Sequence, residues 1–305
     1  ARPAPVADAL TSKFLKVMIF VFCMTRITTT RKSYVIVMWA LVLGSFYIGY
    51  DAWTAPRGAF EQGRLQRIGG PDFRHSSGLA AHMGAMLPLI GVTFMATKWW
   101  SMRAITLVSG ALTLNTVVLC RTRSAFVGLA IGTVAAVLTA PKKRRLHTYL
   151  ALIILTPCVY RLTDTMFWAR MATLGNQQVL EKDSASTGRL EIWKAASTLI
   201  AWHPFGVGIG NFQYRIHEVN YELGQRAAHN TFILCWAELG IHGFVIFLLI
   251  VATSFVQIWQ CHGIAAETHN PAWTRYMAYG LFLSLVRVLL VVAGVARLPE
   301  ACRLE

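Results

Sequence analysis

Long apolar runs alternate with short polar segments along most of this chain. Eight of these runs approach the ~20 residues that a helix needs to cross a bilayer. The pattern therefore predicts an all-α polytopic transmembrane helix bundle, with residues 1–305 forming a single integral-membrane domain. The predicted spans cover residues 14–30, 33–50, 79–97, 102–119, 124–140, 147–163, 231–260 and 276–296.

The composition favours a membrane protein over a soluble domain, a nucleic-acid-binding protein or a disulfide-rich protein. Hydrophobic residues make up 55% of the chain and charged residues only 14%, whereas soluble domains carry about 25% charged residues. The net charge is +15, but no basic stripe interleaved with aromatic residues is present, so we expect no nucleic-acid partner. The six cysteines form no Cys-x-x-Cys pair, which favours packing roles over a disulfide framework or a metal site.

The positive charges predict which loops face the cytoplasm. Three short connections are basic, and two predicted spans separate each from the next: Arg26 with Arg31 and Lys32, Lys98 with Arg103, and the run 142–145. Short basic loops stay on the cytoplasmic side. Residues 51–78, 120–123 and 164–230 then face outward, and the last of these forms a long extracytoplasmic loop. We expect a multi-pass protein of the cytoplasmic membrane, with the lipid bilayer as its partner.

The predicted outer loops are rich in arginine but contain only two lysines, Lys182 and Lys194. Topology alone does not require arginine outside. The planar guanidinium group grips phosphate oxygens through two parallel hydrogen bonds, which a lysine ammonium cannot do. Contacts with lipid headgroups or loop carboxylates are the alternative explanation for each of these arginines.

The long outer loop contains its own predicted elements. Thr187 is a predicted helix N-cap, which would place Arg189 in the first turn, where the helix dipole favours anions. His203-Pro204 should end that helix, because the residue before a proline is disfavoured in the α region. A short helix is expected within 212–226, and the next span begins just after His229 and Asn230.

Glycines 206, 208 and 210 stand at alternate positions after that proline. A dinucleotide-binding fingerprint would need a preceding strand, and none is predicted. We therefore interpret these glycines as allowing tight turns and close backbone approach.

Four segments in this region resemble the O-antigen ligase / O-antigen polymerase superfamily. They are Thr-Gly-Arg-Leu-Glu-Ile-Trp (187–193), His-Pro-Phe-Gly-Val-Gly-Ile-Gly-Asn-Phe (203–212), Ala-His-Asn-Thr-Phe (228–232) and Ala-Glu-Leu-Gly-Ile-His-Gly (237–243). Residues 120–129 and 67–81 resemble two earlier motifs of that family. Two departures are visible, since Thr122 replaces the usual serine and residues 73–77 replace an asparagine-rich stretch. The chain begins without methionine and with fewer initial spans than the family has, so we expect an N-terminal truncation.

The resemblance implies a fold like that of GT-C glycosyltransferases and a specific chemistry. The donor would be a polyprenyl-diphosphate-linked glycan, and the acceptor a hydroxyl group of a glycolipid, a glycan or a protein. Arg123, Arg189 and Arg74 match the arginines expected to bind the diphosphate, and His229 matches the catalytic base. One direct displacement would invert the anomeric carbon. No metal-binding Asp-x-Asp motif is evident in the outer loops, so we expect neither a catalytic metal nor another cofactor.

Several alternatives remain open at this point. The reaction could be O-antigen ligation, polysaccharide polymerisation or protein O-glycosylation, and a transporter or flippase of lipid-linked glycan would also use outer arginines. Arg123 could anchor a helix end, Arg189 could pair with Glu191, and His229 could be a structural hydrogen-bonding residue. Glu238 is expected to be a structural partner for an arginine or a backbone amide.

Overall fold

The computed structural model describes residues 4–139 except 62, 71, 72 and 74, residues 184–267 except 224 and 225, and isolated positions within 149–168 and 280–286. These residues are mostly helical, as predicted. In chain order the helices are α1 (Ala4–Ile27), α2 (Arg31–Trp53), α3 (Ser76–Ala96), α4 (Trp100–Leu119), α5 (Arg123–Thr139), α6 (Ser184–Trp202), α7 (Phe212–Val219) and α8 (Thr231–Glu267).

Four of the helices are long and apolar enough to cross a membrane: Lys32–Trp53, Ser76–Ala96, Trp100–Leu119 and Thr231–Gln260. The predicted spans 14–30 and 124–140 are also helical, with shorter apolar stretches at Leu15–Met24 and Arg123–Val134. Most of the predicted spans 147–163 and 276–296 lies outside the described residues. A multi-pass helical membrane protein is therefore confirmed, and the count of eight spans stays a prediction.

Helix α4 packs along both α2 and α3, and α5 packs against α3. Small and hydroxyl-bearing residues allow the close approach of α2 and α4. The Ser109 hydroxyl on α4 donates to the Val42 carbonyl on α2 at 3.0 Å, and a Cβ at Gly49 would lie 2.7 Å from the Leu112 Cβ. Interfaces built on small residues and interhelical hydrogen bonds are typical of membrane bundles, where burial of apolar surface does not drive helices together.

The connection between α2 and α3 folds back over the adjoining helix ends. It contains a two-stranded antiparallel hairpin, Phe60–Glu61 with Arg64–Leu65, in which Glu61 pairs with Arg64. Leu65 and Ile68 are buried against Ala52, Leu79 and Val117 of the surrounding helices. The hairpin was not predicted, because strands of two residues are too short to show an alternating pattern.

A second core joins α6, α7 and the first part of α8. Ile192, Ala196 and Leu199 of α6 are buried with Phe212 and Ile216 of α7, and Ala237 of α8 completes this cluster. Helix α6 ends before His203-Pro204 as predicted, but it begins at Ser184. The prediction that Thr187 is its N-cap is therefore wrong, since Thr187 lies within the first turn.

Helix α8 is interrupted at Gly240, whose backbone is non-helical with φ 69° and ψ −172°. The predicted span 231–260 is therefore two helical segments. The first, residues 231–239, lies in the core with α6 and α7. The second continues the apolar run, and its Phe255 ring meets Phe282 edge-on at 6.0 Å. Because Gly280 lies against Val92 of α3, this second segment is linked to the membrane bundle.

Candidate functional site

Helix α5 begins at Arg123, one residue before the predicted span 124–140. The Thr122 carbonyl accepts from the Phe126 amide at 3.2 Å, the first hydrogen bond of the helix. Thr122 is only 8% exposed, and its hydroxyl oxygen is buried without a hydrogen-bond partner. The first amides of a helix and its dipole together attract anions, so this end of α5 combines a cationic side chain with an anion-favouring backbone.

Two more arginines lie next to this helix end. Arg121 has a left-handed backbone with φ 46°, and its Nη1 donates to the Gly63 carbonyl in the hairpin turn at 2.6 Å. That bond brings Arg64, the next residue of the hairpin, close to the start of α5. The buried Arg64 Nε has no hydrogen-bond partner. We name Arg64, Arg121, Thr122 and Arg123 the basic cluster.

Arg64 and Arg121 are outer-loop arginines that were not among the site residues predicted from the sequence. Neighbouring Cys120 is fully buried, and burial raises the pKa of its thiol to about 12. Its thiol therefore stays protonated near neutral pH, which is the behaviour of a packing residue. The signal that could have identified Arg121 is its place between the end of one span and the start of another.

The other two predicted diphosphate ligands are less well defined. Arg74 lies outside the described residues. The backbone of Arg189 lies in α6, and its side chain is not among those described. Because α6 begins at Ser184, Arg189 is in the second helical turn. The predicted contribution of the helix dipole is therefore wrong for Arg189, since that effect fades beyond the first turn.

His229 directly precedes Asn230, which caps the start of α8, and it therefore lies just before this helix as predicted. The Asn230 carboxamide oxygen accepts from the Phe232 and Ile233 amides at 2.9 Å and 3.3 Å. On the other side, the Trp193 indole of α6 donates to the Ala228 carbonyl at 2.9 Å. His229 is exposed and adopts a left-handed backbone with φ 50°, a conformation in which Asn, Asp and His are enriched. Both neighbouring residues are thus held by hydrogen bonds on either side of the exposed His229.

The glycine-rich segment after α6 pairs with the interruption of α8. The Val207 and Gly208 amides donate to the Ala237 and Glu238 carbonyls, each at 2.9 Å, and the Ile241 amide donates to the Pro204 carbonyl at 3.0 Å. An interrupted helix leaves carbonyl and amide groups without intrahelical partners, and residues 204–208 supply those partners. The inference of close backbone approach is confirmed for Gly206, where a Cβ would meet the backbone of Glu238 and Gly240, and all three glycines have the positive φ of tight turns.

Glu238 accepts a further hydrogen bond through its side chain. Its Oε1 accepts from the Phe212 amide at 3.2 Å, and Phe212 is the first residue of α7. A carboxylate at a helix N-terminus is favoured by the helix dipole. Of the two predicted structural partners, a backbone amide is the one observed. Glu238 therefore ties the start of α7 to the interruption of α8.

The Gly240→Ala variant should unfold at a much lower temperature than the wild type. A Cβ at Gly240 would lie 2.3 Å from the Phe205 carbonyl carbon, and a backbone atom there cannot move aside as a side chain can. The left-handed strain and the weakened loop pairing together predict a loss of more than about 2 kcal/mol. The midpoint of thermal unfolding in detergent measures this loss.

The matched control for this experiment is Gly91→Ala in α3, where a Cβ would meet no atom within 4 Å. Alanine stabilises a helix by about 0.5–1 kcal/mol over glycine, so this variant should unfold at or above the wild-type midpoint. Equal midpoints for the two variants would contradict the close approach at Gly240.

The structure describes the side chains of two of the four predicted site residues, Arg123 and His229, and they belong to two different groups of residues. Arg123 belongs to the basic cluster, between the end of α4 and the start of α5, and His229 is an exposed residue beside the core formed by α6–α8. Residues 140–183 connect these groups and lie largely outside the described residues. That Arg123 and His229 act at one site stays a prediction. Within the described parts of the chain, no group of three His, Cys, Asp or Glu side chains could hold a metal ion.

The comparison with known proteins bears on this geometry. Residues 108–248 match the family model described as O-Antigen ligase. No curated protein and no solved structure gives a match to the chain. The matched segment contains Arg123, Arg189, His229 and the paired glycines, and it confirms the resemblance noted from the motifs. Residues 108–248 are therefore similar to the O-antigen ligase family.

Proposed function

We propose that this protein transfers a glycan from a polyprenyl-diphosphate carrier to a hydroxyl group at the outer face of the cytoplasmic membrane. The family match supports an enzyme of the O-antigen ligase or polymerase type in a multi-pass membrane protein. The donor, the acceptor and the membrane face are the finer parts of the proposal.

The basic cluster is the observation that carries the proposal. A diphosphate leaving group gains negative charge as the glycosidic bond breaks, and guanidinium donors stabilise that charge best when they are fixed in advance. Arg121 is fixed by its bond to the Gly63 carbonyl, and Arg123 begins a helix whose first amides favour anions. Arg64 Nε and the Thr122 hydroxyl add buried polar atoms that a phosphate oxygen could satisfy.

His229 is proposed as the base for the acceptor hydroxyl. The neutral imidazole takes the hydroxyl proton while the acceptor oxygen forms a bond to the anomeric carbon. The bond from that carbon to the diphosphate breaks, and its electron pair leaves on the diphosphate oxygen. One such displacement inverts the anomeric configuration. Arg189 is proposed as a second diphosphate ligand, and Arg74 as a third, by their match to the family motifs.

The arrangement of connections supports the outer placement of this chemistry. The basic connection between α3 and α4 lies at one end of the bundle, where the Arg103 Nε donates to the Thr97 carbonyl at 2.7 Å. The hairpin and the basic cluster lie at the opposite end, where α4 ends and α5 begins. If the short basic connections are cytoplasmic, the basic cluster faces outward.

A transfer assay tests the proposal. The purified protein in liposomes is given a polyprenyl-diphosphate-linked oligosaccharide with a labelled sugar and one acceptor at a time: lipid A–core glycolipid, excess donor, or a serine-rich peptide. We expect release of polyprenyl diphosphate together with a labelled product on one acceptor, which identifies ligase, polymerase or protein-glycosylating activity. Movement of intact donor between leaflets without cleavage would favour the transporter alternative instead.

A further inference from the structure

The last residue of α6 and the connection that follows it form an apolar surface. Within residues 202–210, which we name the apolar loop, no Asp, Glu, Lys or Arg occurs. Its large side chains are nevertheless exposed, with Trp202 at 57%, Phe205 at 80% and Ile209 at 57%. Such a surface is unfavourable in water, so it indicates a partner with an apolar surface of its own.

The position of this loop along α8 identifies the partner. The Phe205 backbone lies against Gly240, and the Phe205 ring centroid is 6.5 Å from that of His242. From Ile241 onward α8 presents exposed apolar side chains, among them Ile246, Leu249 and Ile250. The apolar loop is therefore continuous with a helix face that the bilayer covers, at the level where that face begins.

The length of the exposed face agrees with this placement. Trp259 is 81% exposed near the far end of the apolar run. Ile241 and Trp259 are eighteen residues apart, which spans about 27 Å of helix, close to the ~30 Å thickness of the hydrocarbon core. Aromatic residues are enriched at both borders of that core. Phe205 lies at the level of one end of this exposed face, beside Gly240, and Trp259 lies near the other end.

We propose that the apolar loop inserts into the outer leaflet of the bilayer and holds the α6–α8 unit against the membrane surface. The inserted side chains are Trp202, Phe205 and Ile209. This contact fixes the height of the outer unit, because the loop is hydrogen-bonded to the interruption of α8 at three backbone positions. The proposal does not rest on the transfer reaction.

Depth-dependent quenching tests the insertion. In a variant whose native cysteines are replaced, Phe205→Cys is labelled with an environment-sensitive fluorophore and reconstituted in phosphatidylcholine vesicles. Part of the lipid carries a nitroxide at the headgroup, the upper acyl chain or the lower acyl chain. We expect the emission to fall about twofold with the headgroup and upper-chain nitroxides, and less with the lower-chain nitroxide, because an interfacial segment is buried by only about 5–10 Å.

Two matched positions serve as controls. Leu249→Cys, on the exposed face of α8, should be quenched most by the lower-chain nitroxide. Tyr221 is 87% exposed but stands beside Glu222 in the polar part of the outer unit, so Tyr221→Cys should not respond to any nitroxide lipid. Retained elution as a monodisperse species shows that each labelled variant is folded.

Two outcomes overturn the proposal. A Phe205 probe that behaves like the Tyr221 probe places the loop in water. A blue-shifted but unquenched Phe205 probe means that protein covers the loop, either another segment of this chain or a second copy. Neither outcome changes the expected result of the transfer assay, so failure of this proposal is distinguishable from failure of the proposed function.

Discussion

Replacing His229 with asparagine is expected to lower the rate of glycan transfer by a factor of about 10²–10⁴, the usual contribution of a positioned base. Asparagine is the informative substitution because His229 has φ 50°. Among residues that have a Cβ, asparagine is one of the few that readily adopt this left-handed conformation. The variant therefore keeps the backbone and removes only the imidazole. Initial rates with a saturating lipid-linked donor measure the effect.

His229→Ala separates the two possible roles of the residue. Alanine removes the base and also strains the backbone at positive φ, so it should be as inactive as the asparagine variant and less stable. If His229 only fixes the backbone, the asparagine variant should transfer glycan at nearly the wild-type rate while the alanine variant fails. For a base, the wild-type rate should also fall at acidic pH, because a protonated imidazole cannot accept the hydroxyl proton.

Arg123→Lys and Arg189→Lys are each expected to lower kcat/KM about tenfold to a hundredfold. Lysine keeps the positive charge but loses the paired donors of the guanidinium group. A hydrogen bond to a charged group contributes about 1.5–3 kcal/mol, and each 1.4 kcal/mol corresponds to about a tenfold change. The kinetics of purified variants with a lipid-linked donor measure this loss, and donor binding by the same variants should weaken as well.

Arg215→Lys is the matched control for these variants. Arg215 is a partly exposed arginine of the α6–α8 unit, which also contains Arg189. Its Nη1 lies 2.7 Å from the Glu218 carboxylate. Exposed ion pairs contribute at most about 1 kcal/mol, and lysine can keep this one, so the activity should remain within about twofold of the wild type.

A chelator should leave the wild-type rate unchanged. Strong inhibition that a divalent cation reverses would contradict charge neutralisation by arginine alone.

The membrane helices were predictable because their signal is local. A bilayer requires long apolar runs with no unpaired backbone groups, and the runs that became α2, α3 and α4 meet that condition by themselves. The end of α6 was equally local, since His203-Pro204 marks it within two residues. The start of α6 was missed because residues 183, 184, 186 and 187 are Asp, Ser, Ser and Thr, all acceptable N-caps by residue type, so residue type alone does not select the first turn.

The interruption of α8 could not be predicted from its own residues. Residues 231–260 form one apolar run, and a single glycine at 240 is tolerated inside many helices. What interrupts the helix is the backbone of residues 204–208, about thirty residues earlier in the chain, which offers alternative hydrogen-bond partners. The same reason applies to Arg121, whose partner is the carbonyl of Gly63 in a distant hairpin. Non-local pairing of this kind leaves only isolated glycines as a trace in the sequence.

The mutual approach of Gly206 and Gly240 also restricts how this chain can change over evolutionary time. A Cβ at Gly206 would lie 2.4 Å from the Glu238 carbonyl oxygen, and one at Gly240 would meet the Phe205 backbone. A side chain at either position forces the opposite segment to move. A single substitution at either glycine is therefore expected to destabilise the fold. Natural variation is then expected to enter this region only through paired changes, or through an altered loop length between α6 and α7. Laboratory selection for variants of this protein would meet the same restriction.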